Sequence, residues 1–117
     1  MTENVQFLPV DLRIHRFQVI DLNVEHMNWV VKEIGDYYKI DTSVIPVREY
    51  VTNTIEDLFS DAPPRGIYYL LKLEDAIIGI GALRQVRKNV GEIKRMYIRP
   101  AYRGKGYGKA LLHQLLH

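Results

Sequence analysis

With 117 residues, 47% of them hydrophobic and 26% charged, the chain has the balance of one globular domain that buries roughly two-thirds of its unfolded surface. It contains no cysteine, which excludes a thiol nucleophile, a cysteine zinc site and a disulfide framework, and fits a reducing, cytoplasmic setting. The net charge of +2 is unevenly spread: residues 84–109 carry nine Lys and Arg against Glu92 alone, while the remainder carries 7 basic and 13 acidic residues, so an anion is the expected partner of the basic block.

In chain order, Asp11, Arg13, His15 and Arg16 interrupt the N-terminal region, and the longest apolar run, residues 76–83, is too short to cross a bilayer. Neither a leader nor membrane contact is expected. Residues 15–22 alternate weakly and predict a first strand. Asn23 or Asp21 then offers a helix cap, and Val24, Met27, Val30, Val31, Ile34, Tyr37 and Tyr38 recur at helical spacing. Thr42, Ser43 and Pro46 break this helix. Val47, Tyr50, Val51, Thr54, Ile55 and Leu58 predict a second one, stopped by the prolines at 63 and 64. From Gly66 the pattern becomes β: strands over 67–73, 76–86 and 90–98, with turns near 74–75 and 87–89, form a meander that ends at Pro100. Regular alternation would place Glu92, Lys94, Met96 and Ile98 on one face of the third of these strands, and Ile93, Arg95, Tyr97 and Arg99 on the other. No repeat or low-complexity linker divides the chain, so residues 1–117 read as a single α/β (α+β) domain.

The segment after Pro100 carries the chemistry. Arg103-Gly104-Lys105-Gly106-Tyr107-Gly108 precedes a helix with a leucine face, and a strand, a glycine turn and a helix start together turn unpaired amides and partial positive charge toward an anion. Glycine lets the backbone approach phosphate oxygens and adopt positive φ. Two common phosphate loops are excluded by spacing. No Ser or Thr follows Gly104-Lys105 or Gly108-Lys109, as a Walker loop needs, and Lys109 stands where the dinucleotide pattern needs its last glycine. The spacing that remains is R-x-x-G-x-G, from Arg103, Gly106 and Gly108.

This loop, with the flanking residues 94–112, resembles the motif by which GCN5-related N-acetyltransferases (GNAT) hold the pyrophosphate of acetyl-CoA. The resemblance extends to the two helices and the meander, and implies a GNAT-type acyl-CoA N-acyltransferase fold in the order β-α-α-β-β-β-α. It also implies cofactor contacts from Met96, Tyr97 and Ile98, matching the strand that pairs with the pantetheine arm, and from Arg103, Gly104, Lys105, Gly106, Tyr107, Gly108 and Lys109. Acetyl-CoA would be the donor and a small-molecule or peptide amine the acceptor. A complete family member continues with a strand, a helix and two closing strands, so the domain is expected to be truncated after the helix that succeeds the loop. Catalytic competence of this chain is then open, and a CoA-binding or interaction module without turnover is the alternative.

An alkyl amine with a pKa near 10.4 must lose a proton before it attacks a thioester. Glu92, the only acid in the basic block and four residues before Met96, where the resemblance implies a base, is the expected acceptor of that proton; the competing reading pairs it with a surface cation. Trp29, Tyr37 and Tyr38 are candidates for an acceptor pocket or for core. His113-Gln114-Leu115-Leu116-His117 has the histidine spacing of a zinc protease but lacks its glutamate, so no metal is expected. Nor is a nucleic acid, since the basic block shows no recognition helix and no RNA-binding aromatic spacing. An open strand edge and the leucines at 111, 112, 115 and 116 predict a homodimer.

Overall fold

The computed structural model describes residues 4–55, 66–88 and 90–116. Its elements are β1 (Val5–Pro9), α1 (Leu12–Tyr38), α2 (Val47–Thr54), β2 (Gly66–Leu73), β3 (Ala76–Arg87), β4 (Val90–Ile98), a short 3-10 turn (Pro100–Tyr102) and α3 (Tyr107–Leu115). The order β-α-α-β-β-β-α is the expected one, and the four strands form a single antiparallel sheet in the order β1-β2-β3-β4. The stop expected at residues 61–64 lies outside the described residues, as does His117.

The first strand does not lie at 15–22. That segment belongs to α1, whose buried residues Val19, Ile20, Leu22, Asn23 and Val24 continue into the half-buried Met27 and Val31. This is the i, i+3, i+4 spacing of one helix face, and it outweighs the short alternation. The strand is 5–9 instead, with Pro9 at its end on an edge of the sheet, where a missing N–H costs no ladder bond. The cap of α1 is accordingly Asp11, whose carboxylate accepts the Arg13 N–H at 2.9 Å, while Asn23 is buried in mid-helix and donates to the Val19 carbonyl at 2.8 Å. At the other end Gly35 is required by packing. A Cβ there would stand 2.9 Å from Thr42 Cγ2 and 3.0 Å from the Ile40 carbonyl, so the loop after α1 closes over a bare backbone.

Helices cover both faces of the sheet. On one, α1 and α2 bury Val19, Ile20, Leu22, Val47, Val51 and Ile55 against Tyr68, Leu70, Ile80, Ala82 and Tyr97. On the other, α3 buries Leu111 and Leu115 with Tyr107 against Leu71 and Ile78. Each fully buried Leu or Ile stabilises this arrangement by about 1.5–3 kcal/mol relative to its exposed state. The leucine face of α3 is therefore largely covered, with Leu116 left exposed.

One irregularity of the sheet decides which side chains of β4 face α1. Along β3 and β4 the register runs Gly79↔Ile98 and Ile80↔Tyr97, then slips, and resumes at Ala82↔Lys94 and Arg84↔Glu92. Arg95 has φ 56°, a left-handed value adopted by a non-glycine residue. The extra residue resets the alternation. Lys94 and Glu92 consequently share the α1 side with Tyr97, since they oppose Ala82 and Arg84, while Met96 and Ile98 pack toward α3. The two faces expected from unbroken alternation are therefore incorrect across residue 95.

Candidate active site

Helix α1 and the C-terminal half of β4 bound a cavity of about 310 Å³, lined by His26, Trp29, Met96, Tyr97, Ile98 and Arg103. Leu22, Glu25, His26 and Trp29 recur at i, i+3, i+4, i+7, so they form one helix face, anchored by Leu22 in the core and otherwise turned to β4. The His26 ring stacks on Tyr97 with centroids 5.1 Å apart and planes inclined by 19°. Glu25 accepts from the Tyr97 hydroxyl at 3.3 Å and pairs with Arg99 at 2.9 Å, and Arg99 also donates to the Ile77 carbonyl at 3.0 Å. Helix, strand and the segment after the strand are thus tied together beside the cavity.

Electrostatics reflect this packing. Burial pushes the Tyr97 phenol up, and the adjacent Glu25 carboxylate adds to the effect. His26 goes the other way: desolvation, then the positive charges of Arg95 and Arg103, hold its imidazole below the usual histidine value and favour the neutral ring. Deeper in the same layer, burial carries Tyr68 up to about 12.

The glycine-rich loop leaves β4 through the 3-10 turn and enters α3. Gly104 (φ 75°) and Gly106 (φ 90°) both occupy the left-handed region that glycine adopts without steric cost. Gly106 is the N-cap of α3 and offers no side chain to its first amides, so those donors remain for an anion. Lys105 and Lys109 are exposed beside them. Arg103 lies across the cavity instead: its Nε donates to the Ile98 carbonyl at 2.7 Å, and its guanidinium stands 5.7 Å from the Trp29 ring centroid and 5.2 Å from that of Tyr97.

A sequence model of the acetyltransferase (GNAT) family matches residues 28–117. The chain belongs to the GNAT family. Solved GNAT-type structures share its fold at low identity. The N-acetyltransferase PaiA from Thermoplasma acidophilum, solved in complex with coenzyme A, superposes with a TM-score of 0.70 at 18% identity, over 94% of this chain and 68% of its own. A GNAT-family acetyltransferase from Staphylococcus aureus gives 0.64 at 17% identity, over 96% of this chain and 64% of its own. Glucosamine-6-phosphate N-acetyltransferase from Arabidopsis thaliana gives 0.53 at 15% identity, over 97% and 73%. No curated protein sequence matches the chain. The chain therefore spans about two-thirds of the length of these GNAT structures.

Within this GNAT fold, the residues expected from sequence fall into three groups. Met96, Tyr97, Ile98 and Arg103 come together at the cavity, and Gly104, Lys105, Gly106, Gly108 and Lys109 form the loop and helix start beside it. The Tyr107 side chain is buried in the α3 core, which leaves only its backbone at the loop. Glu92 is not among the lining residues. It pairs with Arg84 at 3.2 Å across the sheet, and the four register steps from Ile80, opposite Tyr97, to Arg84, opposite Glu92, span about 13 Å. Tyr37 and Tyr38 are neither pocket nor core, being 79% and 64% exposed and stacked edge-to-face on each other. Trp29 does line the cavity, together with His26, which sequence reasoning missed. The available signal was the pairing of His26 with Trp29 one turn apart on a helix face that is otherwise apolar or acidic.

Proposed function

We propose that this protein transfers an acetyl group from acetyl-CoA to a primary amine. The observation that carries the reading is the junction itself: a GNAT-family R-x-x-G-x-G loop, with two glycines in the left-handed region, opens α3 directly beside an aromatic cavity on β4. The coenzyme A bound by the Thermoplasma neighbour supports the same ligand class here.

Loop and strand divide the work. The amides at the start of α3, with Lys105 and Lys109, would hold the pyrophosphate, and the edge of β4 at Met96 to Ile98 would take the pantetheine arm as a further strand. Bound acetyl-CoA supplies a thioester whose carbonyl carbon is open to an amine. The chain's own residues orient the two reactants, exclude water with Trp29, Met96 and Tyr97, and accept a proton from the amine. Glu92 faces the α1 side of β4 and is one candidate for that last role, acting through water because of its distance. A second reading, a CoA-binding module without turnover, is favoured by one observation, the pairing of Glu92 with Arg84 outside the cavity.

The deciding experiment measures thiol release from acetyl-CoA over a panel of alkyl amines, amino acids and peptides, alongside a thermal-shift titration with CoA. Amine-dependent release is expected. A CoA response without any release selects the module, and no response to CoA at all rejects both readings.

A further inference from the structure

We propose that His26, rather than Glu92, takes the proton from the acceptor amine, as the basic group that the fold places inside the cavity. The inference rests on the transferase reading. Three observations carry it. His26 lines the cavity together with Met96, Tyr97 and Ile98, the residues proposed to hold the pantetheine arm. Its ring lies flat on Tyr97, and neither ring nitrogen takes part in a hydrogen bond among the described residues. Glu92, by contrast, has its carboxylate engaged by Arg84 and lies about 13 Å along the strand from Tyr97.

The charges around the imidazole suit a base that must start neutral. Desolvation, with the positive charges of Arg95 on β4 and Arg103 on the loop, lowers its pKa and favours the neutral ring. The Glu25 carboxylate, on its own helix, is committed to Arg99 and the Tyr97 hydroxyl. The ammonium form of the acceptor gives one proton to an imidazole nitrogen of His26 as its own nitrogen attacks the thioester carbon. The new C–N bond forms, the C–S bond breaks, and the second amine proton passes to the departing thiolate. His26 then releases its proton to water, and the net products are the amide, the free thiol and one proton.

This route has a kinetic signature. A neutral base acting on an ammonium substrate makes kcat/KM rise through the titration of the base and then stay flat up to the pKa of the amine, near 10.4 for an alkyl amine. Without the base, only the small fraction of free amine reacts, so the rate climbs tenfold per pH unit over the same range. The experiment is the pH profile of thiol release, from about pH 5 to 10, for wild type, His26→Gln and Glu92→Gln. The expected result is a plateau in wild type and Glu92→Gln, and a tenfold-per-unit slope in His26→Gln, which loses about 100-fold or more at pH 7 and far less at pH 9. A plateau that survives in His26→Gln, or one removed by Glu92→Gln instead, overturns the proposal and leaves the transferase reading intact. Absence of release from wild type with every amine overturns both. Should His26→Gln fail to fold, NMR titration of the wild-type ring decides the matter: a midpoint below 6.5 that matches the acid limb of the wild-type profile supports the role, and a mismatch refutes it.

Discussion

Gly106→Asp isolates the loop's contribution to anion binding. At φ 90° the backbone of Gly106 lies where a side chain costs about 1–2 kcal/mol, somewhat less for Asn and Asp, so any substitution should lower stability by about 1 kcal/mol. For a chain of this size that is roughly 4 °C in Tm. The ligand effect is separate. A carboxylate at the N-cap of α3 would stand about 5 Å from a phosphate held by the same amides, and at effective dielectric constants of about 20–80 the repulsion amounts to roughly 1–3 kcal/mol. That predicts a loss of about 5- to 150-fold in CoA affinity. Gly106→Asn carries the same backbone strain without the charge, and is the control. In a thermal-shift titration, wild type at about 100 times its Kd should gain about 2.7 kcal/mol of stability. Asn should retain most of that gain and Asp should lose most of it. Equal responses to CoA from wild type, Asn and Asp would refute the assignment of the loop.

Packing and charge set three further expectations. Leu111→Ala, at a fully buried position on α3, should cost about 2–5 kcal/mol in chemical denaturation, whereas Leu116→Ala, 64% exposed, should stay within about 0.5 kcal/mol. Glu92→Gln breaks a half-exposed pair with Arg84 and should change stability by no more than about 1 kcal/mol, as read from the denaturation midpoint. The lowered pKa of His26 means that the unfolded chain binds its proton first, so its contribution to stability is intact above the ordinary histidine value near 6.5 and is lost as pH falls through the lower folded value. His26→Gln should therefore flatten the decline of Tm between about pH 7 and pH 5, and an unchanged decline would show that the folded ring titrates normally.

The meander, the glycine loop and the leucine helix were legible because each rests on a local pattern: β-rich runs between turn residues, a fixed glycine spacing, and leucines at 111 and 115. The N-terminal strand was not. Pro9 argues against a strand when its edge position is unknown, and the alternation at 15–22 is too short to compete with tertiary burial of Val19, Ile20 and Val24. At Arg95 nothing in the residue type announces positive φ, so the reset of β4 could be found only from its register with β3. The site divided in the same way. Its backbone portion, the loop and strand, can be read from motif spacing, but its side-chain portion depends on which face of α1 meets β4, and His26 enters only through that contact.

The bulge at Arg95 also separates two design problems within nine residues of strand. On the α3 side, Met96 and Ile98 are committed to the sheet's second layer and the cavity wall, and Ile93 opposes Leu83 of that same layer. On the α1 side, Glu92 and Lys94 stand opposite Arg84 and Ala82. Substitutions at 92 and 94 can thus change the α1 side of the strand while the core under α3 stays undisturbed. Straightening the bulge with residue 95 kept in the ladder would have the opposite effect. It would bring residues 90–94 back into simple alternation with Tyr97, carry Ile93 over to the α1 side, and turn Glu92 and Lys94 toward the leucines of α3. One left-handed residue thereby lets the strand vary its α1 side around residues 92–94 independently of the face that packs on α3.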